Sequence, residues 1–333
     1  MKLKRIKLKN KDVYSLCVLH EEEWICFNSL LEAVPDDGSK ERTALQNVSD
    51  DLIGFLKTRK YLETKLYEII RTAYNAGLTL DNEGYDVIPF KPLQYRDFML
   101  SEKHVINSSR GFVKRMMPKM WPLVKTYEKL TDKTFPKLKP QKDWYDNPIY
   151  YKGSVMSFVG HGETIKFPQY ATLKDYELEL GMIITSDVMD ATELEGLNAI
   201  GAFCVFNDFS ARNVQLDEMK LTGFGPCKSK DFANAISTVV VTSDEIFPKI
   251  DELKARVVIN GELITEGQLN EFYHSLGSAV AYASKGERVY AGEFMGSGTI
   301  PNCCGMENSY LLNSGDVISV EIDGIGTLTN KIE

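Results

Sequence analysis

The chain has only four histidines, no CxxC pair among its six cysteines, and no excess of positive charge. Each shortage removes a class of protein. With formal net charge -8 and pI near 5.3, the sequence lacks the basic face expected of a nucleic-acid binder. No apolar run is long enough to span a bilayer, and no apolar signal region opens the chain. Cys17, Cys26, Cys204, Cys227, Cys303 and Cys304 show no zinc spacing, and neither an H-E-x-x-H helix nor a G-x-S-x-G elbow is present. The stretch Gly223-Phe224-Gly225-Pro226-Cys227-Lys228 superficially suggests a phosphate loop, but it lacks the glycine directly before lysine and carries an obstructing proline. Reduced thiols, a cytoplasmic setting, no membrane and no nucleic acid are the resulting expectations.

A chain of 333 residues, 43% of them hydrophobic, can bury a full core and suggests one large domain plus a small one. Residues 1–30 read as short strands. The lysine-rich start (Lys2, Lys4, Lys7, Lys9, Lys11) is expected to be a solvated edge strand, because lysines discourage edge pairing. Near-3.6 periodicity predicts a helix from an N-cap at Ser49 to a C-terminal Gly77. A Pro- and Gly-containing connection over 78–92 sets a domain boundary, giving an N-terminal α+β domain at 1–90 and a second domain at 91–333. Residues 93–130 read as helical with interruptions, and 132–149 as a loop. From 150 onward strands dominate, with helical pieces at 191–200 and 271–286. Regular strand–helix alternation is absent, so the fold class is α+β with a β-rich core and not a doubly wound sheet.

Three segments carry candidate chemistry. In Asp175-Tyr176-Glu177-Leu178-Glu179-Leu180, strand alternation puts Glu177 and Glu179 on one face and Tyr176, Leu178 and Leu180 on the other. Two carboxylates on one face repel unless they are solvated or bridged by a cation. In Asn207-Asp208-Phe209-Ser210-Ala211-Arg212-Asn213-Val214-Gln215, Asp208 ends an apolar strand, where sheet proteins place ligands, and Ser210 is expected to cap a short helix. In Arg96-Asp97-Phe98-Met99-Leu100-Ser101-Glu102-Lys103-His104, Asp97 and His104 stand two helical turns apart and would share a helix face. Gly296-Ser297-Gly298-Thr299 permits close backbone approach to a ligand.

Each segment has an ordinary structural explanation, but in this order they resemble the fumarylacetoacetate hydrolase family over roughly residues 93–333. That family places a metal on an E-x-E strand and on the aspartate of N-D-x-S-A-R-x-x-Q. Its long members add the aspartate of a D-F segment, with a catalytic histidine seven residues on. The K-x-F element at Lys230-Asp231-Phe232, the turn at Ser297-Gly298-Thr299 and the closing Gly315-Asp316-Val317-Ile318 are similar too. The resemblance implies a mixed β-roll catalytic domain preceded by a small N-terminal domain. It implies a metal cage of Asp97, Glu177, Glu179 and Asp208 holding Mg2+, with Ca2+ or Mn2+ also suited to an all-oxygen donor set. His104 would be the general base, oriented by Glu307 or, alternatively, Glu102. Lys230 would support catalysis, and Arg212, Gln215, Tyr151 and Thr299 would bind substrate. Met99 and Met219 replace tyrosines of fumarylacetoacetase, so a different substrate is expected. The expected activity is metal-dependent hydrolysis of a carbon–carbon bond in a small 2,4-dioxo acid by a homodimer. Decarboxylation, tautomerisation or hydration on the same site is the first alternative, and a non-catalytic ligand-binding protein the second.

Overall fold

The computed structural model describes residues 1–9, 11–219, 223 and 225–333. The N-terminal part runs β1 (Lys2–Leu8), β2 (Tyr14–His20), β3 (Glu23–Cys26), α1 (Phe27–Ala33), α2 (Lys40–Asn47), α3 (Leu52–Asn75) and β4 (Gly84–Asp86). Next come β5 (Tyr95–Phe98), α4 (Glu102–Met116), α5 (Trp121–Thr131), α6 (Lys142–Asp146), β6 (Tyr150–Gly153), β7 (Phe158–Val159), β8 (Thr164–Ile165), β9 (Lys174–Asp175) and β10 (Glu177–Ile184). They are followed by α7 (Glu193–Ala199), β11 (Ile200–Asp208), β12 (Ser210–Ala211), α8 (Arg212–Asp217), β13 (Asn234–Thr242) and α9 (Ser243–Ile246). The chain ends with β14 (Lys254–Ile259), β15 (Glu262–Gln268), α10 (Leu276–Ala283), β16 (Phe294–Cys304), α11 (Gly305–Asn308), β17 (Val317–Ile322) and β18 (Gly326–Ile332).

One large sheet has the order β3-β2-β1-β13-β11-β10-β16-β5-β6, and a five-stranded sheet, β15-β14-β17-β18-β8, packs beside it. The lysine-rich β1 is not an edge. It pairs with β2 on one side and β13 on the other, and lends its outer end to β4. Its lysines reach outward to acids, as Lys4 does to Asp86, while Leu3 and Ile6 are buried. Composition suggested an edge because alternation cannot reveal how many neighbours a strand has.

Residue parity along the central strands decides what lies on each sheet face. On β10, Leu178, Leu180, Met182 and Ile184 enter the main core beneath the second sheet. The opposite face carries Ile183 of β10, Ala202, Cys204 and Phe206 of β11, Phe294 of β16 and Tyr95 of β5. These pack against Phe55, Leu62, Leu66 and Ile69 of α3 and other N-terminal apolar groups. On that same face the apolar side chains give way to acids: Asp97 two residues after Tyr95 on β5, Asp208 two residues after Phe206 on β11, and, on the oppositely directed β10, Glu179 and Glu177 four and six residues before Ile183. The pleat therefore delivers four carboxylates to one buried place on that face.

Several local expectations are corrected. Helix α3 is capped by Asp51, whose side chain accepts from the Gly54 amide, and not by Ser49. Asp97 lies on strand β5, held between β16 and β6, while His104 lies on α4 after the capping Ser101. The two were expected to share one helix, but the YRDF run is paired on both sides, by β16 and β6, and that pairing overrides local helical spacing. Ser210 caps nothing; it sits in β12 and donates to Glu177 Oε2 at 3.3 Å. Residues 132–149, read as loop, contain α6, which buries Trp144. Cys17 and Cys26 form a disulfide, against the expectation of reduced thiols: they are directly paired partners on β2 and β3. Sequence spacing could not show that pairing. Phe224 of the phosphate-loop-like stretch lies outside the described residues. Among the described residues, no helix is long and apolar enough to cross a membrane.

Candidate metal centre and its base

Asp97, Glu179 and Asp208 offer carboxylate oxygens all within 4.8 Å of one another, and all three are buried. Taking three carboxylates out of water together is costly unless a positive charge answers them. Burial pushes Asp97 and Glu179 well above the usual carboxylate range; repulsion from Asp208 adds to both, and Asp97 raises Glu179 further. Asp208 is also raised by burial, with Lys230 pulling it back. Among the described residues, Asp97 Oδ1 and Asp208 Oδ1 have no hydrogen-bond partner. Orphaned, buried, acceptor-only oxygens converging in this way fit a hard divalent cation, so the residues present suit the group that the resemblance implies.

The backbone makes room for this. A Cβ on Gly296 would stand 2.3 Å from Asp97 Oδ1 and 2.6 Å from Glu179 Oε2, so only glycine lets β16 pass between the two acids. The Gly298 amide donates to Glu179 Oε2 at 3.0 Å, which fixes that carboxylate. Thr299 is register partner to Glu179 and buried. Tyr151, register partner to Asp97, donates its hydroxyl to Asp208 Oδ2 at 2.8 Å.

The fourth predicted acid behaves differently. Glu177 accepts from Arg212 at 2.7 Å and from Lys230, which also binds Asp208. Burial alone would raise Glu177; Arg212, Lys230 and His104 instead hold it far below the usual range. Burial would likewise depress Lys230, but Asp208 and Glu177 drive it up, so it stays an ammonium. Arg212 also donates to Gln215 at 2.7 Å and to Asp175 at 2.6 Å.

His104 Nδ1 lies 3.2 Å from Glu307 Oε2, and Nε2 lies 3.8 Å from Glu177 Oε1. The imidazole therefore stands between the acid expected to orient it and the charged centre. The approach depends on Gly111 of α4: a Cβ there would lie 1.7 Å from the Met306 carbonyl and push α11 away. Glu102, the alternative partner, accepts instead from Tyr145 at 2.6 Å. On α4, Arg110 is held by Glu128 at 2.9 Å, and Arg115 reaches the Ser309 carbonyl. Met99 is half-buried and Met219 is 54% exposed.

Sequence reasoning gave no role to Asp175. Fully buried, it anchors Arg212 and accepts from the Gly305 and Met306 amides, which seats α11 and so Glu307. The signal was available: Asp175 has the parity of Glu177 and Glu179, so three acids alternate there, not two. Asn207, whose Oδ1 accepts from the Glu177 amide at 3.0 Å, was missed as well.

Comparisons agree with this architecture. The family model for the fumarylacetoacetate (FAA) hydrolase C-terminal region matches residues 123–333. An oxaloacetate tautomerase, YisK of Bacillus subtilis, is 28% identical over 194 residues, 58% of this chain, and the match spans 63% of that relative's length. Maleylpyruvate hydrolase from Sphingobium sp. SYK-6, solved with manganese(II) and pyruvate, superimposes with TM-score 0.65 at 14% identity, covering 100% of this chain and 98% of that one. A 5-carboxymethyl-2-hydroxymuconate delta-isomerase from Mycobacterium smegmatis gives TM-score 0.62 at 16% identity, with coverage of 100% and 98%. These two structures share the fold.

Proposed function

The chain belongs to the fumarylacetoacetate hydrolase family, and we propose that it is a divalent-metal-dependent enzyme that hydrolyses a carbon–carbon bond in a small 2,4-dioxo acid. The observation that carries this reading is the His104–Glu307 pair, 3.2 Å apart, beside three buried carboxylates, two of which, Asp97 and Asp208, have an orphaned oxygen. Asp97, Glu179 and Asp208 would hold the cation, and Glu177 would join them by loosening its hold on Lys230. Mg2+ suits these donors, as do Mn2+ and Ca2+. When bound, the cation supplies Lewis acidity toward the oxygens of a 2-oxo acid.

The chain's own groups account for the rest. Glu307 faces Nδ1, which leaves Nε2 as the atom that takes a proton from water. Lys230 and Arg212, both permanently cationic here, offset negative charge developing on the substrate. Gln215, Tyr151 and Thr299 line the approach, and the Thr299 hydroxyl is suited to a substrate carboxylate. Met99 and Met219 give a less polar pocket than tyrosines would, which favours short or apolar acyl groups. We propose that the enzyme works as a homodimer, a state that sedimentation would report.

A second reading is tautomerisation of oxaloacetate, favoured by the likeness to the Bacillus subtilis tautomerase. One assay separates the two. With Mn2+ present, the hydrolase reading expects short acylpyruvates to be split into pyruvate and a carboxylic acid, faster than fumarylacetoacetate is split. Enol-to-keto conversion of oxaloacetate without cleavage of any acylpyruvate would overturn it in favour of the tautomerase.

A further inference from the structure

We propose that His104, Cys304 and Glu307 form a second cation site, separate from the carboxylate triad, which takes a borderline-soft divalent cation such as Zn2+ and thereby disables the base. One nitrogen, one sulfur and one oxygen ligand atom from these residues lie within 4.8 Å of one another. Tetrahedral zinc bonds of about 2.0–2.3 Å set ligand atoms roughly 3.3–3.8 Å apart, so Nδ1 and Glu307 Oε2, 3.2 Å apart, already stand near that spacing and a side-chain adjustment of about 1 Å brings the whole set to it. The donor set is mixed nitrogen, sulfur and oxygen, which zinc accepts and magnesium does not.

The second observation is that His104 and Glu307 face each other in burial without a hydrogen bond. His104 Nδ1 and both carboxylate oxygens of Glu307 make no hydrogen bond among the described residues, and the Glu307 side chain is 2% exposed. Nδ1 faces Glu307 and not the triad, so a cation there is distinct from one among Asp97, Glu179 and Asp208. Cys304, at the end of β16 opposite Glu177, is fully buried beside this pair. Its neighbour Cys303 faces the other way, with its sulfur against Gly267 on the second sheet. On binding, a sulfur–zinc bond forms, the S–H bond breaks, and the proton leaves to solvent. With zinc on Nδ1, His104 and Glu307 no longer act as a pair, whereas Mg2+ or Mn2+ in the triad leaves them free.

Co2+ reports such a site directly, because a bound thiolate gives a charge-transfer absorption in the near ultraviolet. This readout does not depend on which substrate the enzyme turns over. The full chain, with its triad first filled by Mg2+, is titrated with Co2+, and Zn2+ is then added in competition. The expected result is a saturable thiolate band that Zn2+ abolishes. Cys304→Ser should lose the band while keeping Mn2+ affinity within about twofold of the original, and Cys227→Ser, at the exposed thiol, should keep it. Glu307→Gln should raise the Co2+ midpoint about tenfold or more, which carries the test if Cys304→Ser fails to fold. Absence of the band in the unaltered protein, or its persistence in folded Cys304→Ser, would overturn the proposal.

Discussion

Glu177 and Glu179 share a strand, a face and near-complete burial, yet they stand in opposite surroundings. Glu177 lies in a cationic half of the site with Arg212 and Lys230, and its carboxyl is held low. Glu179 lies in an anionic half with Asp97 and Asp208, and its carboxyl is pushed high. The difference shows that alternation along a strand can place a charged group but cannot say whether the protein has already neutralised it. The cationic half is satisfied by the chain's own residues. The anionic half is not, and this imbalance is the physical case for a bound cation.

Breaking the anionic half should have the largest effect. Glu179→Gln should lower Mn2+ affinity by about a hundredfold or more and abolish metal-dependent turnover. Glu177→Gln should cost about tenfold in affinity but, by leaving Arg212 with only Asp175 and Lys230 with only Asp208 as buried anionic partners, about 3 kcal/mol of stability. Calorimetric titration and thermal unfolding of both variants measure the contrast, and equal affinities would erase it.

Next in size is loss of the base that serves both halves. His104→Ala should reduce kcat about a hundredfold to ten-thousandfold with Mn2+ affinity unchanged. Glu307→Gln should reduce it by about tenfold, because the imidazole stays in place without its orienting acid. A His104→Ala variant that retains full activity on oxaloacetate would favour the tautomerase reading.

The smallest effect is a pH dependence of opposite sign in the two halves. The folded Asp97 and Glu179 carboxyls are raised, so the folded metal-free protein binds more protons than the unfolded chain. Its stability should fall as pH rises above the ordinary carboxylate range. Glu177 is lowered, so its contribution is present above the unfolded pKa and lost only in strong acid. Mn2+ should therefore raise Tm more at pH 8 than at pH 5, roughly in step with deprotonation of the triad. A Tm increment independent of pH would mean the cation binds elsewhere.

Much of this site was legible because it rests on strand parity. The E-x-E alternation and the acid ending the AIGAFCVF run each placed a residue where the sheet later needed it, whereas the Ser297-Gly298-Thr299 segment, expected as a turn, runs inside β16. The illegible parts depend on partners distant in sequence. Nothing near Asp97 says that β5 pairs with β16, about two hundred residues later, so a helix was the natural local reading. Nothing in the lysine-rich start says that Leu3 sits opposite Val240. Nor could spacing say that Cys17 faces Cys26, or that Asp175 seats the turn that carries Glu307. The chemistry of the site followed from residue types and faces, whereas its assembly followed from long-range pairing.

The central claim is that a hard divalent cation is held among Asp97, Glu179 and Asp208. Crystals grown with Mn2+ and measured at the manganese absorption edge locate the ion by anomalous scattering, without reference to activity. The account predicts a single strong peak in contact with carboxylate oxygens of all three residues. A peak outside that triad, or none when Mn2+ is saturating in solution, would contradict it.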